Sequence, residues 1–259
     1  MLIAHFSDPH IRPHDTLQNG TVDINAMFPP LLQQLNAMTP RPDVVLMTGD
    51  LVNSGSAAEY AVAVELLRGL DLPLLLLPGN HDERERLRAC FPGSPAAGPL
   101  HFVVEGPVRI VGVDVTVPGH DHGDFDPAAE AWLEAALAAG AGRPTMVAMH
   151  QPPFVTHIAF MDQSLCRRGE RLAALLARHP EVVRLVCGHV HRGMVTTFGG
   201  TVLCTAPSTS TAIALRLDPD AQPATYLEPP GFLLHHWDGA RMTTHAVPVG
   251  TFPGLWGFT

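Results

Sequence analysis

The sequence predicts an α/β fold with a strand-rich C-terminal part, and three observations say so. Apolar runs of strand length recur at Leu2–Phe6, Val44–Met47, 74–77, 146–149 and Val182–Cys187, a pattern expected of strands buried on both faces. Helical stretches with their own start and stop signals separate these runs. Beyond about residue 195 the helical signals cease and strand-like runs take over.

The first run leads directly into Asp8-Pro9-His10. Pro29 and Pro30 interrupt an otherwise helical stretch near Leu31, so the first helix is expected to start close to these two prolines, because proline is tolerated in a helix only at its first turn. After 44–47 comes Gly49-Asp50, and Ser56-Ala57-Ala58-Glu59 then forms a capping box opening a helix expected to reach Leu70. Run 74–77 leads into Gly79-Asn80-His81-Asp82. Asp126 and Pro127 cap and start a helix that ends before Gly140, and run 146–149 brings in His150. A helix over 167–178, stopped by Pro180, precedes Val182–Cys187 and Gly188-His189-Val190-His191. Later strands are expected at Thr201–Thr205, 213–217, Gly231–Trp237 and 242–249, with 218–224 as a turn-rich loop.

A chain of 259 residues with 46% hydrophobic side chains can build one core, so a single domain over 1–259 is expected. Lys and Arg total 16 against 25 Asp and Glu, a formal charge of −9, which argues against a nucleic-acid polymer as partner because such binding needs clustered cations. Cys90, Cys166, Cys187 and Cys204 form no C-x-x-C pair and read as free thiols in a reducing compartment. The first strand begins at Leu2, which leaves no space for a removable signal peptide, and no apolar run is long enough to span a membrane. The expected location is the cytoplasm.

Each ligand-type segment follows a strand's C-terminal end, where loops of an α/β sheet converge on a site. Gly-Asp or Gly-Asn alone is ordinary turn chemistry. Turn chemistry does not account for histidine at 10, 81, 150, 189 and 191 together. Imidazole plus carboxylate without thiolate suits Zn, Fe, Mn or Co.

The ordered set D-x-H, GD, GNHD, H, GHxH, spanning residues 8–191, resembles the calcineurin-like metallophosphoesterases. It is most similar to the bacterial group that contains class III cyclic-nucleotide phosphodiesterases and glycerophosphodiesterases. Met161-Asp162, the stretch 205–209 and Pro229-Pro230-Gly231-Phe232 also look like that group. The resemblance implies a four-layer α/β/β/α sandwich with two mixed sheets. It implies a first divalent transition-metal ion on Asp8, His10, Asp50 and His191, and a second on Asp50, Asn80, His150 and His189, with Asp50 bridging. It further implies hydrolysis of a small phosphodiester by a hydroxide shared between the ions, with Asn80, His81 and His191 contacting substrate. His81 is then a catalytic neighbour that protonates the leaving oxygen, with Asp82 as its expected orienting partner. Two such ions leave the inner site positively charged before an anionic diester arrives.

Cyclic nucleotides and glycerophosphodiesters both remain open as substrates, as does a homo-oligomeric state. A phosphomonoesterase or protein phosphatase is the alternative, but such enzymes typically place Asp-Arg after the GD element and read GNHE, where this chain has Leu51-Val52 and Asp82. A non-enzymatic scaffold on the same fold would have lost ligands, and all seven positions are filled here. Arg12 and Asn53 lie close enough to ligands to be substrate-contact candidates. Solvent exposure is expected for His14, His120, His122 and His157, and a structural role for His235 and His236.

Overall fold

The computed structural model describes residues 1–91, 95–254 and 257. In chain order the elements are β1 (Leu2–Phe6), α1 (Phe28–Ala37), β2 (Val44–Met47), α2 (Ala57–Leu67), β3 (Leu74–Leu76), α3 (Arg84–Cys90), β4 (Phe102–Val104), β5 (Arg109–Gly112) and α4 (Pro127–Ala139). There follow β6 (Thr145–Ala148), α5 (Gly169–Leu176), β7 (Val182–Cys187), β8 (Met194–Phe198), β9 (Thr201–Thr205), β10 (Ala212–Ile213), β11 (Thr225–Tyr226), β12 (Gly231–Trp237) and β13 (Met242–Pro248).

Two large sheets form, in the orders β13-β12-β1-β2-β3 and β4-β5-β6-β7-β9-β8. Both are mixed: β1 pairs parallel with β2 but antiparallel with β12, and β7 pairs parallel with β9, which pairs antiparallel with β8. Side-chain alternation splits each central strand between two cores. On β1 and β2, Ala4, Phe6, Val45 and Met47 face α1–α3, while Ile3, Val44 and Leu46 face the other sheet. On β6, Val147 faces α4 and α5, while Met146 and Ala148 face inward. The result is the expected four-layer α/β/β/α sandwich.

Several boundaries differ from expectation for local reasons. The 167–178 helix starts only at Gly169, because Arg167 extends the sheet-like pairing of the 123–125 segment: its N–H donates to the Gly123 carbonyl and its carbonyl accepts from Phe125 N–H. The 56–70 helix ends at Leu67, since Gly69 N–H closes a tighter turn on Leu66. The 213–217 run is strand only to Ile213; Leu215 and Leu217 lie exposed, with no sheet beside them to bury an apolar side. Elements α3, β4, β5 and β8 carry no clear signal in the sequence. Strand β5, for instance, contains Arg109, whose buried guanidinium pairs with Glu105 at 3.2 Å and donates to the Ala136 carbonyl at 3.1 Å.

The inter-sheet core also buries His5, with Nε2 2.9 Å from Thr48 Oγ1 and its ring stacked on His235. Burial drives the His5 pKa down to about 3. Between about pH 6.5 and pH 3 the unfolded chain therefore holds a proton there that the folded chain refuses, and stability falls as pH falls through that window. His5→Gln should flatten the acid limb by up to one proton, about 1.4 kcal/mol per pH unit. Urea midpoints measured from pH 7 to pH 4 check this, and parallel curves for the two proteins would count against it.

Candidate metal centre

Strand pairing brings the motifs together. Beyond the strand ends, β1 and β2 stay in parallel register: Asp8 N–H donates to the Gly49 carbonyl and His10 N–H to the Asp50 carbonyl, both at 3.1 Å. Gly188 N–H donates to the His150 carbonyl across β6 and β7 in the same way. The two sheets thus deliver Asp8, His10 and Asp50 from one side, and His150, His189 and His191 from the other.

Three donor groups are close enough to hold a cation: Asp8 with His10 and His191, Asp50 with His150 and His189, and His10 with Asp50 and His81. Asp50 Oδ2 lies 3.5 Å from His10 Nε2 and 3.3 Å from His150 Nε2, so one carboxylate reaches both halves of the cluster. His191 Nε2 is 3.6 Å from Asp8 Oδ1 and 3.0 Å from His10 Nε2, and Asn80 Oδ1 is 3.1 Å from His150 Nε2. The structure therefore brings together every residue the sequence singles out as a ligand.

The rings are fixed from behind. His150 Nδ1 donates to the Thr48 carbonyl at 2.6 Å and His191 Nδ1 to the Thr211 carbonyl at 2.7 Å, which sets the tautomer and points Nε2 inward. Ser208 and Ser210 hydroxyls both donate to the Asp8 carbonyl, which explains the place of the 205–209 stretch beside the motifs.

Backbone strain is concentrated here. Asp8, His10, Asp50, His189 and His191 have φ of 57°, 49°, 54°, 71° and 51°, a left-handed conformation that non-glycine residues adopt at a cost of order 1–2 kcal/mol. Such strain persists where surrounding structure imposes it, and it aims these side chains at a common point. Gly79 is required for a different reason: a Cβ there would overlap Asp50 Oδ1.

His81 is not oriented by Asp82. Its Nδ1 donates to the Asn53 carbonyl at 2.6 Å and its backbone N–H donates to Asp50 Oδ1 at 2.9 Å. Asp82 instead accepts from the N–H groups of Gly79, Leu51 and Val52 and from the Tyr60 hydroxyl, tying the GNHD turn to the GD turn. The correction follows from its burial: an enclosed carboxylate takes the nearest backbone donors, and those belong to the two turns.

The electrostatics describe a cluster built for cations. Burial raises the Asp8 carboxyl above its usual range. Burial also disfavours charge on Asp50, but His150, His81 and His10 outweigh it and hold that carboxyl well below the usual range. For His150, burial is overcome by Asp50, which lifts the pKa to about 9; His189, buried beside His150, is pushed down to about 3. Burial works against a proton on His81 too, but Asp50 and the Asn53 carbonyl raise its pKa on balance. A proton on His150 occupies the place of a cation, so metal uptake would release it.

The cluster opens into a cavity of about 350 Å³ whose walls include Asn53, Asp121, Phe160, Ser164, Thr211 and Ile213. Asn53 is thus a lining residue as expected, whereas Arg12 acts behind it through a 2.9 Å bond to Asn53 Oδ1. His14, His120 and His157 are exposed and His122 is half-buried, and none lines the cavity. His235 is buried and structural, and His236 is exposed. The sequence places substrate contacts on loops at 11–24, 116–126 and 154–165, and these supply Gln18, Asp121, Phe160 and Ser164, the last from a short 3-10 helix over Met161–Ser164; it does not single out those residues individually, and it does not point to Thr211 at all.

A model of the calcineurin-like phosphoesterase family matches residues 1–193, a span that contains all the ligand positions. The chain belongs to this family. It is 36% identical over 262 residues to a glycerophosphodiester phosphodiesterase GpdQ of Enterobacter lignolyticus, covering 99% of this chain and 94% of that protein. It is 33% identical over 219 residues to a cAMP/cGMP dual specificity phosphodiesterase of Mycobacterium tuberculosis, covering 80% of this chain and 67% of that one. The fold is similar to that of a dimetal phosphatase from Danio rerio, with a TM-score of 0.72, 14% identity and 96% of each chain covered.

Proposed function

We propose that the protein is a phosphodiesterase that uses two divalent transition-metal ions to hydrolyse small phosphodiesters, glycerophosphodiesters first among them. One observation carries the reading: a single Asp50 carboxylate oxygen lies 3.5 Å from His10 Nε2 and 3.3 Å from His150 Nε2 and so joins the two halves of the donor cluster. The first ion falls to Asp8, His10, Asp50 and His191, and the second to Asp50, Asn80, His150 and His189. The donor set fits, with imidazole, carboxylate and one amide oxygen and no thiolate, which favours Zn, Fe, Mn or Co. When bound, such ions polarise a phosphoryl oxygen and lower the pKa of coordinated water from about 15.7 toward about 7.

The chain's own residues do the rest. His81, with Nδ1 committed to the Asn53 carbonyl, presents Nε2 to the cavity to hold a proton for the leaving oxygen. Asn80 and His191 contact the phosphate. No Lys or Arg lines the cavity among the described residues, so charge matching for the diester rests on the ions. A site without a fixed cation for further phosphates suits a small monoanionic diester better than a polymer.

Glycerophosphodiesters come before cyclic nucleotides because the 36% identical relative aligns along almost the whole chain. That alignment takes in the region beyond the family match, which supplies the lining residues Ser210, Thr211, Ile213 and Thr225. Cyclic nucleotides are the second reading, on the strength of the mycobacterial relative. Turnover of glycerophosphoethanolamine, cyclic AMP, cyclic GMP and a phosphomonoester at matched metal loading tests the order. The expected result is the highest kcat/KM on the glycerophosphodiester; a preference for the monoester would overturn the diesterase reading. We also place the protein in the cytoplasm, in keeping with four free cysteines, and no helix among the described residues is long and apolar enough to cross a membrane.

A further inference from the structure

A second cavity, of about 340 Å³, lies where β9 of one sheet faces β12 and β13 of the other, and it shares no lining residue with the metal centre. Its anchor is Arg184 on β7, only 6% exposed. The register shift between Thr145 and Met146 sets Arg184 opposite Met146, which turns the guanidinium into the inter-sheet space in place of an apolar side chain. Nη2 donates to the Met242 carbonyl at 2.7 Å, but Nε has no partner. No carboxylate of the described residues is within ion-pair distance of it.

An arginine keeps its proton under all ordinary conditions, so it cannot escape burial by titrating as a lysine or histidine does. A buried, unpaired charge is strongly unfavourable. The polar groups around it are neutral: Thr244, Thr205, and the Cys204 thiol, which lies within hydrogen-bond reach of the guanidinium and whose pKa burial raises on balance. His235 stays uncharged through burial and the nearby His5 and Arg184. The remaining wall is apolar, from Met194, Val202, Leu233 and Ala246. A single cation within a largely apolar lining calls for a ligand with a single anionic head and a short hydrocarbon tail.

We propose that this inter-sheet cavity is a binding site for a small amphiphilic carboxylate, held by the Arg184 guanidinium and seated against the apolar wall. The planar fork of arginine matches a carboxylate with two parallel N–H···O bonds, and the unpartnered Nε supplies one of them. Thr205 connects the cavity to the metal centre, since its hydroxyl donates to the Arg192 carbonyl and accepts from Met194 N–H, immediately after His191.

Octanoate, octanol and octylammonium, titrated calorimetrically into the metal-loaded protein, test the site. Octanoate should bind at least tenfold more tightly than either of the others, and Arg184→Gln should abolish that preference while keeping diester turnover, which shows the variant folded. If Arg184→Gln fails to fold, the three-probe comparison on the unmodified protein decides alone: equal binding of octanoate and octanol overturns the proposal. Octanoate binding that survives Arg184→Gln, or that competes with the diester, belongs to the metal centre and also overturns it.

Discussion

Asp50→Ala is expected to yield a protein that retains neither metal ion and turns over a phosphodiester at least about 10³-fold more slowly, the kinetic equivalent of several kcal/mol of metal-ion stabilisation. Among the described residues Asp50 is the one side chain that reaches both halves of the cluster, with Oδ2 3.5 Å from His10 Nε2 and 3.3 Å from His150 Nε2. Asn80 touches only the His150 half, at 3.1 Å. Asn80→Ala should therefore lose mainly one ion where Asp50→Ala loses both. Elemental analysis of the folded fractions reads the difference directly. Equal metal content in the two variants would remove Asp50 from its shared role.

His81→Ala should lose rate and keep metal. Its ring is tethered through Nδ1 to the Asn53 carbonyl, and its raised pKa, which Asp50 and that carbonyl maintain against burial, keeps a proton available on a ring that faces the cavity. General acid catalysis contributes about 10²–10⁴-fold, and that is the loss expected for a glycerol ester or a cyclic nucleotide, whose leaving group is an alkoxide. With bis-p-nitrophenyl phosphate the leaving nitrophenolate needs little protonation, and the loss should be much smaller. His81 also belongs to a donor group with His10 and Asp50. Loss of an ion from His81→Ala would make it a ligand, and equal losses on both substrates would make it a phosphate-positioning residue.

The candidate metal centre was legible in the sequence because its residues are local to strand ends. Each candidate ligand lies within a few residues of an apolar run, and parallel strands deliver such positions to one edge of the sheet whatever the intervening chain does. Asp82 was misread because its neighbour in sequence, His81, is not its neighbour in space: the turn at Gly79 folds the carboxylate back onto the N–H groups of residues 51, 52 and 79. The substrate-facing wall was legible as loops at 11–24, 116–126 and 154–165 but not residue by residue. Phe160, Ser164 and Thr211 come from segments without helical or strand periodicity, and tertiary packing alone decides which of their side chains face the cavity. Strand β5 was missed for a related reason, since Arg109 breaks its apolar pattern and its burial is made tolerable by the nearby Glu105 carboxylate together with the distant Ala136 carbonyl.

The central claim is that two ions held by one shared carboxylate run the chemistry, and metal reconstitution tests it most directly. Metal-free protein, verified by elemental analysis, is titrated with Mn, Co, Zn or Fe while glycerophosphodiester turnover is followed. The account predicts negligible turnover without metal and recovery that is complete only near two equivalents per chain, about the number a shared-carboxylate site holds. Full turnover in the metal-free protein, or saturation at a single equivalent, would contradict it.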